Sequence, residues 1–170
     1  GPIRGTLFDK EVYDSGVELN ANNFCNLAVE AEMAIKVDAD SNILSVFPII
    51  ELHNFVFRAP QKSLSELIAN NGLNRGLVSS AKSWQEPVEF YEKKLELSLE
   101  INGLEIDSGE LWPMEGGPTS SLHWLKNHLA DHDLKILPGN IILGGTALGL
   151  HKVQAGDRRD VKVGGEKAVN

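Results

Sequence analysis

Strict alternation of apolar and polar positions is the strongest signal along this chain. Leu95, Leu97, Leu99 and Ile101 alternate with Glu96, Ser98 and Glu100, and Asn102-Gly103 follows at once. That dipeptide is favoured in two-residue hairpin turns, so the stretch predicts a β-hairpin. Val29, Ala31, Met33 and Ile35 alternate with Glu30 and Glu32 in the same way, predicting a strand with one apolar and one acidic face. Further strands are expected at Thr6 to Val12, in the run Val46 to Leu52, at Gly76 to Ser79, at Ile141 to Leu143 and at Val161 to Val163. Asp14-Ser-Gly16 is a turn that would bring the chain back through Val17 to Leu19, Ser41-Asn42 and Lys82 to Pro87 read as loops, and Pro138-Gly139 and Gly156-Asp157 as turns.

A period near 3.6 appears at two places. Ser63 with Glu66 three residues on forms a capping box for a short helix through Leu64, Leu67 and Ile68, ending at Asn70-Asn71-Gly72. After Gly116-Gly117-Pro118, Thr119 or Ser120 would cap a helix carrying Leu122, Leu125 and Leu129 on one stripe, packed on a sheet and closing near His132. The pattern predicts an α+β, mostly β domain over residues 1–170, strands dominating and two helices inserted, without repeats.

Composition narrows the function classes. The 170 residues are 42% hydrophobic and 24% charged, enough for a single core. The formal net charge of -8 and the scattered Lys and Arg argue against nucleic acid, because phosphate neutralisation needs a basic stripe. No run approaches the roughly twenty apolar residues of a membrane span, so no membrane partner is expected. The single cysteine, Cys25, excludes an internal disulfide, suits a cytoplasmic location, and is expected to be buried.

Against that background Glu30, Glu32 and Glu51 carry the candidate chemistry. Glu30 and Glu32 share a strand face, and Glu51 stands alone in Val46-Phe-Pro-Ile-Ile-Glu-Leu52. Adjacent like charges on a half-buried strand repel, and an unpaired buried carboxylate costs several kcal/mol, unless a cation gathers all three. Oxygen ligands suit Mg2+ or Mn2+ and leave positions open for a substrate, whereas zinc or copper would call for clustered His and Cys. The alternatives stand beside this: an E-x-E on a strand can be a solvated face, and Glu51 can end a strand pointing to water.

Taken in order, Gly5-Thr-Leu-Phe8, Val29-Glu-Ala-Glu32, the Glu51 run, Ile68-Ala-Asn-Asn71, Gly116 to Leu129, Pro138-Gly-Asn-Ile-Ile-Leu-Gly-Gly145 and Ala155-Gly-Asp-Arg158 resemble the fumarylacetoacetate hydrolase superfamily, most like its 2-keto-4-pentenoate hydratases. The likeness runs over nearly the whole chain. It implies a distorted, mostly β roll, and Mg2+ or Mn2+ held by Glu30, Glu32 and Glu51 as chelator of a small-molecule 2-oxo acid. The activity implied is that of a hydratase, with acylpyruvate hydrolysis, 2-oxo acid decarboxylation or a non-catalytic binding or assembly role as the other members of the set. The resemblance also implies a homo-oligomer, and an active site completed by a lysine-bearing segment upstream of these residues.

Several positions depart from the family pattern. Asn70 stands where hydratases have an acid that can relay protons, in a triplet whose Asn71 belongs with the substrate-binding positions. Gly144 replaces a Thr, next to Gly145, where the family contacts substrate, and the Ser-Arg usually following the third ligand is missing near Asn54. His53, two residues from Glu51 and on the same strand face, is the candidate acid or base in place of Asn70, the alternative being a histidine at the surface or just behind the metal ligands. Lys62 could replace the missing cation, His123 and Trp124 are expected to pack on their helix, and His151 is a further residue that could approach the site.

Overall fold

A computed structural model describes residues 2–56, 63–93 and 95–170 of the chain. Lys62 lies outside the described residues. The strands are β1 (Val12–Asp14), β2 (Leu27–Val37), β3 (Ile43–Asn54), β4 (Asn74–Ser79), β5 (Glu96–Ile101), β6 (Leu104–Glu110), β7 (Ile141–Leu143), β8 (His151–Lys152), β9 (Arg159–Val163) and β10 (Glu166–Val169). The helices are α1 (Leu64–Ala69), α2 (Val88–Tyr91) and α3 (Gly117–Ala130). A six-stranded sheet has the order β1-β4-β3-β2-β7, with β8 pairing the other end of the β2 edge that β7 occupies, and a four-stranded sheet has the order β10-β9-β5-β6. This is the mostly β architecture that the alternation predicts.

The two sheets face each other across the main core. The apolar face of β2, Val29, Ala31, Met33 and Ile35, is at most 1% exposed and joins Leu97, Leu99, Val161 and Val163 of the smaller sheet. Leu122 of α3 is buried in the same core, with Leu125 and Leu129 packed against it, as the leucine stripe requires. The opposite face of β2 and β3 has its own small apolar cluster, Ala34, Phe47, Ile49 and Leu77. That cluster borders the acidic positions.

Long antiparallel pairing of β2 with β3 sets the register on which the site depends. Asp38 closes the connecting turn, its Oδ1 accepting from the backbone N–H groups of Asp40 and Asn42. Pro48, inside a central strand, is tolerated for a local reason: Val46 exchanges backbone hydrogen bonds with Glu86, so by alternation Pro48 turns its missing N–H to that same side, where β4 has already ended opposite Ile49. The hairpin at Asn102-Gly103 forms as predicted, both residues taking positive φ (56° and 80°). The Ser63–Glu66 capping box also forms.

Several elements differ from expectation. Residues 6 to 11 form no strand, because the backbone N–H and C=O of Thr6 are both taken by the side chain of Asn71, and Asp9–Glu11 is a 3-10 turn leading into β1. Val17 to Leu19 makes no returning strand; the turn closes from Val17 N–H to Asp14 C=O, and Gly16 N–H instead bonds Asn170 C=O. Helix α3 begins at Gly117, not at a Thr119 or Ser120 cap, since Pro118 fits the first helical turn and Ser120 Oγ donates back to Glu115 C=O. The short α2 and strand β10, which folds back through Gly164 and Gly165 (φ 57° and 83°), lack a pattern long enough to predict. Cys25 is exposed instead of buried.

Candidate metal centre

Cross-strand register brings the acidic positions together. Glu30 lies directly opposite Glu51 in the β2–β3 ladder, Glu32 opposite Ile49 and Ala28 opposite His53. Residues opposite one another in an antiparallel pair share a face, so Glu30, Glu32, Glu51 and His53 converge on the side away from the main core. Two glutamates directly opposite repel, and this pair is held only because other groups answer the charge. His53 Nε2 lies 3.3 Å from Glu30 Oε2 and 3.2 Å from Glu51 Oε2. Donor atoms of Glu30, Glu51 and His53 all fall within 4.8 Å of one another.

Each side chain has a traceable support. A register shift between β3 and β4 sets Asn74 opposite His53, and Asn74 Nδ2 donates to Glu51 Oε1 at 2.5 Å. Asn74 follows Asn71, Gly72 and Leu73, all at positive φ (58°, 68° and 68°), a tight turn that a β-strand could not continue. Gly76 completes the bulge: a Cβ there would stand 2.5 Å from Glu11 C=O. Glu32 is 2% exposed, and its Oε1 accepts from the Gly145 N–H at 2.5 Å. Gly145, at φ 85°, is fixed in a loop tied down by Ser121 Oγ donating to Gly144 C=O and Thr146 Oγ1 donating to Ala31 C=O.

The electrostatics follow from this packing. Burial, with the charge of Glu51 and a hydrogen bond shared with it, raises the Glu32 carboxyl well above its usual range. Glu51 is also desolvated, but His53, Glu32 and Asn74 together hold it below its usual value. Burial alone would push His53 down; its contacts with Glu30 and Glu51 outweigh that and raise it to about 9. A site that gathers this much negative charge fits a cation.

The other sequence candidates sit as follows. Asn70 caps α1 and spends its Nδ2 on Glu66 C=O. Asn71 is committed to Thr6 at both ends of its amide. Gly144 has both backbone groups occupied, by Met33 C=O and by Ser121, and the Trp112 ring stands where its Cβ would go, 2.7 Å away. The family's threonine at this position would meet that ring. His151 turns to the other side of the sheet: it is opposite Val29, and its Nε2 lies 2.8 Å from Asp107 Oδ2 of β6. His123 is exposed and paired with Asn127, so it is not a packing residue, and Trp124, half-buried, stacks on His128. Asn74, Ser121 and Thr146 escape sequence reasoning, since each acts through a turn or loop that brings distant residues together. Cavities of about 590 Å³ along α3 and 810 Å³ beside Val29, Ile50 and Leu52 are lined by residues other than Glu30, Glu32, Glu51 and His53.

Comparison with known proteins places this geometry in context. No family model matches the chain. It is similar to 2-oxo-hept-4-ene-1,7-dioate hydratase of Escherichia coli, 23% identical over 188 aligned positions covering 99% of this chain and 70% of that protein. It is similar also to 2-hydroxyhexa-2,4-dienoate hydratase of Comamonas testosteroni, 24% identical over 178 positions, 96% of this chain and 67% of that one. Among solved structures, 4-oxalocrotonate decarboxylase from Pseudomonas putida G7, complexed with magnesium and adipate, superposes with a TM-score of 0.87 at 21% identity, over 97% of this chain and 67% of that one. The chain thus spans about two thirds of the length of these proteins. Its fold is that of the fumarylacetoacetate hydrolase superfamily, and its sequence resembles the hydratases of that superfamily.

Proposed function

We propose that this chain is a divalent-metal-dependent lyase of the hydratase type, holding Mg2+ or Mn2+ through Glu30, Glu32 and Glu51 and adding water to a 2-hydroxy-2,4-dienoate. The observation that carries the reading is the convergence of these carboxylates on one sheet face, where the buried Glu32 and the desolvated Glu51 have no lysine or arginine among their described partners. Similarity to two hydratases supports the reaction class.

The chain's own groups divide the work. Glu30 and Glu51 would grip the ion from adjacent strands, with Asn74 fixing the Glu51 carboxylate. Gly145 N–H fixes one oxygen of Glu32, whose carboxyl shares a hydrogen bond with Glu51. A cation held by these carboxylates would supply positive charge to bind a 2-oxo acid and to offset the negative charge that hydration or decarboxylation develops. Hydration adds the elements of water across a carbon–carbon double bond, so no redox partner is required. Asn70 cannot relay a proton, and its amide is already engaged with Glu66.

That last observation favours a second reading, a metal-binding relative without turnover. Mixing the Mn2+-loaded chain with 2-hydroxypenta-2,4-dienoate and following loss of the dienoate absorbance separates the two. The hydratase reading predicts loss that chelator abolishes and that Glu30→Gln removes. Stable absorbance with Mn2+ demonstrably bound would leave the second reading standing.

A further inference from the structure

His53 lies between two carboxylates. Its side chain is 9% exposed, yet neither ring nitrogen makes a hydrogen bond among the described residues. Buried imidazoles are ordinarily hydrogen-bonded, so ring nitrogens left without a partner point to a ligand. Nε2 approaches Glu30 Oε2 and Glu51 Oε2 at 3.3 and 3.2 Å, but not in hydrogen-bonding geometry. Two ligands each about 2.1 Å from a common ion, at right angles to one another, are about 3 Å apart. Both distances from Nε2 are of that size, and the donor atoms of all three residues lie within 4.8 Å of one another.

The backbone makes this placement repeatable. Residues 51 and 53 share a strand face, and the β3–β4 register shift sets His53 opposite Asn74, whose amide holds Glu51. Glu32, with one oxygen on Gly145 and a hydrogen bond shared with Glu51, lies beside the trio whose donor atoms fall within 4.8 Å. Sequence reasoning grouped the three glutamates; the geometry gathers Glu30, Glu51 and His53, with Glu32 beside them.

We propose that His53 ligates the metal through Nε2 alongside Glu30 and Glu51, and that the centre is thereby biased toward a nitrogen-accepting transition ion such as Mn2+, Fe2+ or Co2+ over Mg2+. The inference rests on the metal-site reading above and specifies its ligand set. Mg2+ demands oxygen ligands and keeps its waters, whereas imidazole binds first-row transition ions well. A mixed carboxylate and imidazole set therefore discriminates by ligand type.

The test uses the full chain loaded with Mn2+ and examined by electron spin-echo spectroscopy for nitrogen hyperfine coupling, together with Co2+ and Mg2+ titrations of wild type, His53→Gln and Glu30→Gln. Expected are an imidazole coupling in wild type that His53→Gln removes, and at least a tenfold fall in the preference for Co2+ over Mg2+ in that variant. Bound Mn2+ without imidazole coupling in wild type overturns the proposal while leaving the carboxylate site intact, and needs no variant to fold. Failure of wild type to bind any of the three ions, or binding indifferent to Glu30→Gln, overturns the site itself. An unchanged Co2+ to Mg2+ preference in His53→Gln overturns the selectivity claim.

Discussion

At the scale of single residues, charge decides what the glutamate strand can be. Glu30 and Glu51 face one another across a ladder and Glu32 is buried next to them, an arrangement that apolar packing alone would expel. His53, Asn74 and the Gly145 N–H each offset part of that cost. A different acid holds the two sheets together: Asp107 Oδ2 accepts from the Gly149 N–H at 2.8 Å and meets His151 Nε2 at 2.8 Å. The Gly149 hydrogen bond and then the His151 contact hold Asp107 below its usual 3.8. Because its folded pKa is depressed, Asp107 adds stability above the unfolded value, and this is lost as pH falls through and below 3.8. Asp107→Asn should therefore lower the melting temperature near neutral pH and flatten its fall on acidification below pH 4; an acid limb parallel to wild type would exclude this clasp.

At the scale of elements, legibility followed locality. The hairpin at Asn102-Gly103, the capping box at Ser63 and the two-faced β2 were readable because each signal sits within a few residues. The convergence of Glu30, Glu32 and Glu51 was readable because charge repulsion forces a common explanation. The support from Asn74 was not, since it depends on a bulge in β4 and on consecutive positive φ angles at Asn71, Gly72 and Leu73. Nor was the role of Gly144, which reads as a lost hydroxyl but is the space filled by the Trp112 ring. Of the strand expected at Thr6 to Val12 only Val12 joins β1, because the Asn71 side chain takes the backbone of Thr6 and Asp9–Glu11 forms a 3-10 turn. The β4 bulge itself is testable: Gly76→Ala puts a methyl 2.5 Å from Glu11 C=O at φ 141°, and should destabilise the fold by about 1–3 kcal/mol and weaken Mn2+ binding through Asn74 and Glu51. Urea unfolding and metal titration of one preparation would check both; wild-type values would mean that the bulge relaxes freely.

At the scale of the molecule, the sheet sandwich puts its largest core on one side of β2 and the acidic site on the other, so the site rests on a rigid floor while Glu30 stays open to solvent, its side chain 20% exposed. Among the described residues no helix is long and apolar enough to cross a membrane. Leu64 and Ile68, one turn apart on α1, are 62% and 56% exposed, the kind of apolar surface that a partner covers. A homo-oligomer is expected on this ground, measurable by multi-angle light scattering, with a monomer mass as the contrary result. The central claim is the metal centre, and a calorimetric titration of Mn2+ into metal-free protein, with and without oxalate as a 2-oxo-carboxylate mimic, tests it most directly. Saturable binding tightened by oxalate, and weakened tenfold or more by Glu30→Gln, about 1.4 kcal/mol, is the predicted result. Absence of binding, or an affinity indifferent to Glu30→Gln, would contradict it.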